Sequence, residues 1–174
     1  MDLNIIASNF SLHRYLTEDI ITISNQLLEK GYSSDSLYKL VIEENVSKEI
    51  VESLFKEALI ELGIVIPESK EAVKSILHHS LSNIVNKKID PIQGIKSLVD
   101  GLLKKIKLHE ESDNYLGDFL GIEKLLSAYY SLDDINSGDS SVSYDGLYGE
   151  KALVQIENDI VALSKQWLER NASP

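Results

Sequence analysis

Apolar residues recur at intervals of three and four positions along most of this chain, which is the spacing of one face of an α-helix. The periodicity predicts an all-α protein built as a single bundle of six to seven helices. A division into an N-terminal helical segment, residues 1–66, and a C-terminal helical bundle, residues 67–174, is the alternative to one compact domain. The helices are predicted over residues 11–30, after Ser34, after Ser47, over 68–87, after Asp90, within 113–130 and over 147–170.

The helix after residue 90 has the clearest local signals. Asp90 suits the N-cap, Pro91 suits the first helical position, and Gln93 can return a hydrogen bond to the cap. The same helix contains Gly94 and Gly101. These glycines either let another helix approach closely or weaken the helix by about 1 kcal/mol each relative to Ala.

Composition limits the chemistry available to the chain. It has 174 residues, a net charge of −11 and no cysteine, which excludes disulfides, thiolate metal sites and cysteine nucleophiles. Arg14 and Arg170 are the only arginines, and a chain this acidic repels phosphate at long range, so we expect no nucleic-acid binding of its own. The beginning of the chain lacks a secretion signal, and no apolar run approaches the ~18 residues of a membrane span. We therefore expect a cytoplasmic protein with no membrane partner.

The acidic charge is concentrated in the last third of the chain. Residues 1–66 hold 5 basic and 11 acidic residues, residues 67–109 hold 8 and 4, and residues 110–174 hold 4 and 13. Many of the last group fall in or beside the longest irregular stretch, predicted over residues 133–146. One interpretation is a solvated face that keeps the protein soluble. The other is a docking surface for a basic partner, because complementary charge speeds association and rejects wrong partners.

The docking interpretation predicts a specific set of partner-binding residues. Its carboxylates act as phosphate mimics, and two tyrosines beside them act as the aromatic anchors that hot spots in protein interfaces need. The set consists of Asp133, Asp134, Asp139, Tyr144, Asp145, Tyr148, Glu150 and Glu157.

Catalytic and metal-binding motifs are mostly missing. His78 and His79 are adjacent, so on a helix they point about 100° apart and do not readily bind one ion. A calcium loop beginning at Asp133 places Gly138 correctly, but it puts Tyr144 where a bidentate Glu is required. Glycine-rich phosphate loops and nucleophile elbows are absent. We expect no metal, no cofactor and no catalytic residues, with an enzyme of unrecognised type using His78 or His79 as an alternative.

One region resembles a known class of bacterial proteins. Residues 73–170 contain an apolar helix, a linking segment, a second helix, and then a helix over Tyr115–Leu120 before the acidic stretch. The linking segment reads Asn86-Lys87-Lys88-Ile89-Asp90-Pro91-Ile92-Gln93-Gly94. This order is similar to the helical immunity proteins of contact-dependent growth inhibition and to colicin-D-type immunity proteins, with the Lys-Ile-Asp-Pro link as the recognisable piece. The resemblance covers a little over half of the chain, and colicin-D-type immunity proteins are much shorter.

The resemblance implies a small cytoplasmic protein that binds a cognate toxin and occludes its active site. Such a toxin is a basic protein, often a ribonuclease or another nuclease domain, bound one to one. The acidic last third of the chain agrees with binding to such a toxin. An active site that holds phosphate is basic, so an acidic protein can occupy it in place of RNA. A helical adaptor or regulatory protein with a different protein partner is the other alternative, and the sequence does not separate it from an immunity protein.

Overall fold

Every regular element in the computed structural model is a helix, within the residues that it describes: 2–42, 47–106, 117, 120–137 and 143–171. The prediction of an all-α protein is therefore confirmed. The α-helices with described bounds are α1 (Leu3–Ser11), α2 (Thr17–Glu29), α3 (Asp35–Ile42), α4 (Lys48–Glu61), α5 (Ser69–Val85), α6 (Pro91–Leu98), α7 (Glu123–Asn136) and α8 (Gly149–Arg170), and a π-helical turn over Val99–Leu103 follows α6.

The chain divides into two compact units, Met1–Ile76 and Leu77–Pro174. The division falls inside α5, whereas the sequence analysis placed it before this helix, after residue 66. Helices α1 to α4 and the first part of α5 belong to the N-terminal unit. The rest of α5, α6, the π-helical turn, α7 and α8 belong to the C-terminal unit, which therefore contains every predicted partner-binding residue.

The N-terminal unit is organised around an apolar core. Phe55 is fully buried, and the ring of Phe10 packs edge-on against it with 5.2 Å between the centroids. Glu61 of α4 holds the start of α3, because its carboxylate accepts hydrogen bonds from the N–H of Ser36 at 3.1 Å and from its hydroxyl at 2.9 Å. These bonds lower the pKa of Glu61 from its ordinary value. The buried core consists of Ile6, Ala7, Ile20, Leu27, Leu37, Leu40, Val51, Phe55, Ala58 and Leu59.

No helix was predicted over the residues of α1, and the helix predicted over residues 11–30 corresponds to α2 alone, which begins at Thr17. The described part of the chain therefore holds eight α-helices rather than six or seven. His13 adopts a left-handed backbone conformation with φ of 52°, which cannot continue α1. Asp2 caps α1 by accepting hydrogen bonds from the N–H groups of Asn4 and Ile5. Leu16, which fitted the apolar periodicity of one continuous helix, precedes α2 and is 69% exposed.

Three helices end in the same motif, in which a left-handed residue follows the helix and the next N–H bonds back to its last turn. Gly31 follows α2, Gly63 follows α4 and Lys87 follows α5, with φ values of 86°, 74° and 55°. After α5, the N–H of Lys88 donates to the carbonyl oxygen of Asn83 at 2.8 Å. Glycine adopts this conformation without steric cost, whereas lysine does not. The end of α5 is therefore strained where the other two ends are not.

Helix α6 packs closely on the end of α5. A Cβ atom at Gly94 would lie only 2.6 Å from Cγ1 of Ile84, so the absence of a side chain permits this contact. At Gly101 the nearest atom to such a Cβ among the described residues is Oγ of Ser97, at 3.9 Å. Within the described part of the chain, the close helix approach that the sequence suggested for both glycines is therefore found at Gly94 alone. The predicted cap of α6 is confirmed, since Asp90 accepts a hydrogen bond from the N–H of Gln93 at 2.9 Å.

Helices α7 and α8 pack against each other. They carry four of the predicted binding residues, Asp133 and Asp134 in α7 and Glu150 and Glu157 in α8. Trp167 of α8 is buried, and its indole N–H donates to the carbonyl oxygen of Leu120 at 2.8 Å. Ile156 and Ile160 are buried on the same side of α8. This inward face fixes the rotation of α8 and leaves the opposite face for solvent or a partner.

Candidate partner-binding surface

Asp133 and Asp134 lie in the last turn of α7, which continues to Asn136. The predicted irregular stretch from residue 133 was therefore wrong at its start, because α7 extends through these two acids. Both residues are exposed. The N–H of Ser137 closes the helix by donating to the carbonyl oxygens of Asp133 at 3.0 Å and Asp134 at 3.2 Å. Asp139, another predicted binding residue, lies outside the described residues.

Residues Tyr144 to Leu147 form a tight two-residue turn. The N–H of each end residue donates to the carbonyl oxygen of the other, at 2.9 and 2.8 Å. Asp145 and Gly146 between them have φ values of 50° and 74°. Two positive φ values are the pattern of a type I′ turn, which explains the Asp-Gly pair. The turn presents Asp145 as an exposed residue at its tip.

Tyr144 fastens this turn to α8. Its hydroxyl donates to Oδ2 of Asp159 at 2.9 Å, and the side-chain amide of Gln155 donates to Oδ1 of the same carboxylate at 3.0 Å. Burial and the Asp159 carboxylate raise the pKa of Tyr144 to about 12. Because the hydroxyl of Tyr144 already has a partner, this residue positions the turn. Tyr148 is 58% exposed and is the more accessible of the two predicted aromatic anchors.

The beginning of α8 carries a mixed acidic and aliphatic face. Glu150 lies in the first turn of α8. Glu150, Val154, Glu157 and Val161 are separated by four, three and four positions, so they share one face of the helix. Val154 is 54% exposed and Glu157 is partly buried. A partner on this face would meet carboxylates and aliphatic groups in turn.

The predicted binding residues form no ion pair within the described part of the chain. The ion pairs that occur there are Lys48–Glu52, Glu71–Lys74, Asp100–Lys104 and Lys165–Glu169. The helix dipole favours Glu150 in the first turn of α8, but it disfavours Asp133 and Asp134 in the last turn of α7.

Glu157 also lines an open groove of about 640 Å³ that contains the Lys-Ile-Asp-Pro segment. The groove lies between the α5–α6 connection and α8. Lys87 and Lys88 line it from the connection, and Glu157 and Asn158 line it from α8. The sequence singled out both segments but did not predict that they meet, because this contact joins elements far apart along the chain.

Sequence reasoning missed a second polar cluster beside the π-helical turn. The Nζ of Lys104 donates to Oδ1 of Asp100 at 2.7 Å and to the hydroxyl of Tyr129 at 3.0 Å, and that hydroxyl donates to Asp100 at 2.8 Å. Asp100 and then Tyr129 raise the pKa of Lys104. A lysine held in its protonated form does not serve as a nucleophile or a general base. The four-residue spacing of Asp100 and Lys104 was a readable signal for their pairing, whereas the contact with Tyr129 depends on the tertiary fold.

The two adjacent histidines are both exposed on α5. His78 approaches Trp167 edge-on, with 6.5 Å between the ring centroids. Within the described ranges, neither imidazole is hydrogen-bonded to a carboxylate, and no cluster of three or more metal-ligating side chains is found. The described residues therefore give the enzyme alternative no hydrogen-bonded acid–base pair.

Comparison with known proteins gives no match to a family model, to a curated protein or to a solved structure. Among the helices that the structure describes, none has both the length and the apolar character needed to cross a membrane.

Proposed function

We propose that this chain is an immunity protein, which binds a basic bacterial toxin one to one and neutralises it through the acidic surface of its C-terminal unit. The supporting observation is the position of Asp133 and Asp134 at the C-terminal end of α7. A carboxylate at that end of a helix typically costs about 0.3–1 kcal/mol, and no ion pair among the described residues offsets it. Cations of a bound partner would offset this cost, so the placement suits binding better than solubility alone.

The chemistry of the proposed target explains why the binding surface is acidic. A nuclease active site must hold phosphate and is therefore basic. In the proposed complex, the carboxylates of Asp133, Asp134 and Asp145 occupy this site in place of phosphate, and Tyr148 is the exposed aromatic anchor. Charge complementarity acts mainly on the association rate, so added salt slows formation of the complex.

The test compares two triple variants with the same change in net charge. The surface variant replaces Asp133, Asp134 and Asp145 with Asn. The probe is the purified C-terminal domain of a secreted toxin encoded beside the gene for this chain. The control variant replaces with Gln three exposed acids of the N-terminal unit that form no ion pair within the described residues: Glu18, Glu29 and Glu57.

We expect the surface variant to associate at least about tenfold more slowly than the original chain, and the control to change by less than about twofold. Stopped-flow fluorescence at several salt concentrations measures both rates. Co-expression with the toxin adds a growth assay, in which the control protects cells better than the surface variant. Unchanged association of the surface variant overturns the assignment of this surface. Failure of the original chain to bind the toxin and protect the cells overturns the proposed function.

A further inference from the structure

We propose that the groove beside Lys87 and Lys88 binds an extended peptide segment of the partner, in which an aliphatic side chain lies between an acidic and a basic residue. The identity of the partner as a toxin rests on the proposed function, whereas the chemistry of the segment rests on the groove. Glu157 is the one described residue of the predicted binding set that lines this groove. The groove is therefore a second contact region beside the acidic surface.

The apolar part of the groove fits an aliphatic side chain. Ile84, Ile89, Val161 and Ala162 line it. Ile89 is 37% exposed although it is a large aliphatic residue. The volume of about 640 Å³ falls within the range of about 300–1,000 Å³ that is typical of ligand pockets. An aliphatic side chain placed here removes exposed apolar surface from water, which favours binding.

The charges that line the groove select the flanking residues of the segment. Lys87 and Lys88 come from the α5–α6 connection and Glu157 comes from α8, and none of the three takes part in an ion pair within the described ranges. Asp90 is already engaged, because its carboxylate caps α6. A carboxylate of the segment therefore complements the lysines, and a cation complements Glu157. A nucleotide fits less well, because two carboxylates repel phosphate and none of the described residues that line the groove is aromatic, so none can stack on a base.

Two backbone features support binding at this groove. Lys87 occupies a left-handed position where the equivalent ends of α2 and α4 have Gly31 and Gly63, so a charged side chain lies there in spite of backbone strain. Gly94 lets α6 press against Ile84, which holds one wall of the groove in place. A rigid groove loses less conformational entropy when a segment binds.

Peptide selection tests the groove without the toxin. A random linear peptide library is panned against the whole chain, with counter-selection on Ala162→Trp, which fills the groove. Ser127→Trp is the matched control, because it adds the same side chain at an exposed position of α7 that does not line the groove. We expect the selected peptides to share an aliphatic residue flanked by one acidic and one basic residue. Fluorescence anisotropy should give equal affinity for the original chain and Ser127→Trp, and at least about tenfold weaker binding to Ala162→Trp.

The charged residues are tested with the same peptide. Lys88→Gln and Glu157→Gln should each weaken binding by about threefold, which is the scale of a partly exposed ion pair. Lys87→Gly should weaken binding by a similar factor while raising the melting temperature, because it removes a charge and relieves the strained backbone. A weaker complex from a more stable protein excludes unfolding as the cause.

The outcomes separate this inference from the proposed function. The inference is overturned if no selected peptide depends on the groove, or if inorganic phosphate, and not peptide, shifts the NMR resonances of Lys87 and Lys88. A peptide that binds the groove without competing with the toxin overturns the assignment of the segment to the toxin. Loss of toxin protection by the acidic-surface variant, with peptide binding intact, supports two separate contact regions.

Discussion

The contact between Gly94 and Ile84 gives the most quantitative prediction. In Gly94→Ala, the new Cβ lies 2.6 Å from Cγ1 and 2.7 Å from Cδ1 of Ile84, and 3.4 Å from Cγ2 of Ile89. Non-bonded carbon atoms pack at about 3.5–4.0 Å, so the side chain of Ile84 must move by about 1 Å. Ile84 is 1% exposed, so the only open space that the described residues leave beside its side chain is the groove that it lines.

Two opposing effects determine how much Gly94→Ala changes the free energy of unfolding. Overpacking of a buried contact costs about 1–3 kcal/mol, and replacing a helical Gly with Ala returns about 0.5–1 kcal/mol. We therefore expect Gly94→Ala to lower the free energy of unfolding by about 1 kcal/mol. Among the described residues, a Cβ at position 101 meets no atom closer than 3.9 Å. The overlap that opposes Gly94→Ala is missing from those contacts, so Gly101→Ala should raise the free energy of unfolding by about 0.5–1 kcal/mol.

Urea denaturation followed by the emission of Trp167 measures this difference, because the only tryptophan lies in the same unit as both glycines. Ile84→Ala removes Cγ1 and Cδ1, so its combination with Gly94→Ala should cost at least about 1 kcal/mol less than the sum of the single losses. An overlap between the new Cβ and Ile84 is excluded if Gly94→Ala is as stable as the original chain. It is also excluded if the double variant loses as much free energy of unfolding as the two single variants together.

Two further predictions concern single side chains. The raised pKa of Tyr144, about 12, lies above the unfolded value of about 10; its hydroxyl therefore contributes stability that is complete below pH 10 and is lost as the pH rises towards 12. Tyr144→Phe should remove that alkaline decline in urea titrations, and an identical decline in the variant would count against the hydrogen bond to Asp159. Lys87→Gly should raise the free energy of unfolding by about 0.5–1 kcal/mol, measured by thermal denaturation, whereas Lys88→Gly should not; a loss of stability in Lys87→Gly would contradict the strain at this position.

The helices that sequence reasoning placed well are those with both an apolar period and a chemical end signal. Gly31 and Gly63 follow α2 and α4 in the left-handed conformation that ends a helix, and Asp90 with Pro91 begins α6. The break at His13 was missed because a left-handed histidine leaves no distinctive pattern. The π-helical turn was missed because it continues the apolar period of α6 with only a local change in hydrogen bonding.

The candidate surface was predictable in composition but not in arrangement. Acidic and aromatic residues in a polar stretch indicated exposed groups, and Asp133, Asp145 and Tyr148 are exposed. The sequence did not predict that Tyr144 bonds to Asp159, because that pairing depends on how the turn folds back on α8. For the same reason, it did not predict that Glu157 lines a groove with two lysines.

The two aspartates at the end of α7 have a consequence for directed evolution. Because they oppose the helix dipole, selection for heat tolerance alone should enrich their neutral replacements. Under the proposed function, selection that imposes the toxin in every generation should keep both acids. Comparing the lineages recovered under the two regimes would show whether survival of the host, and not durability of the protein, maintains these residues.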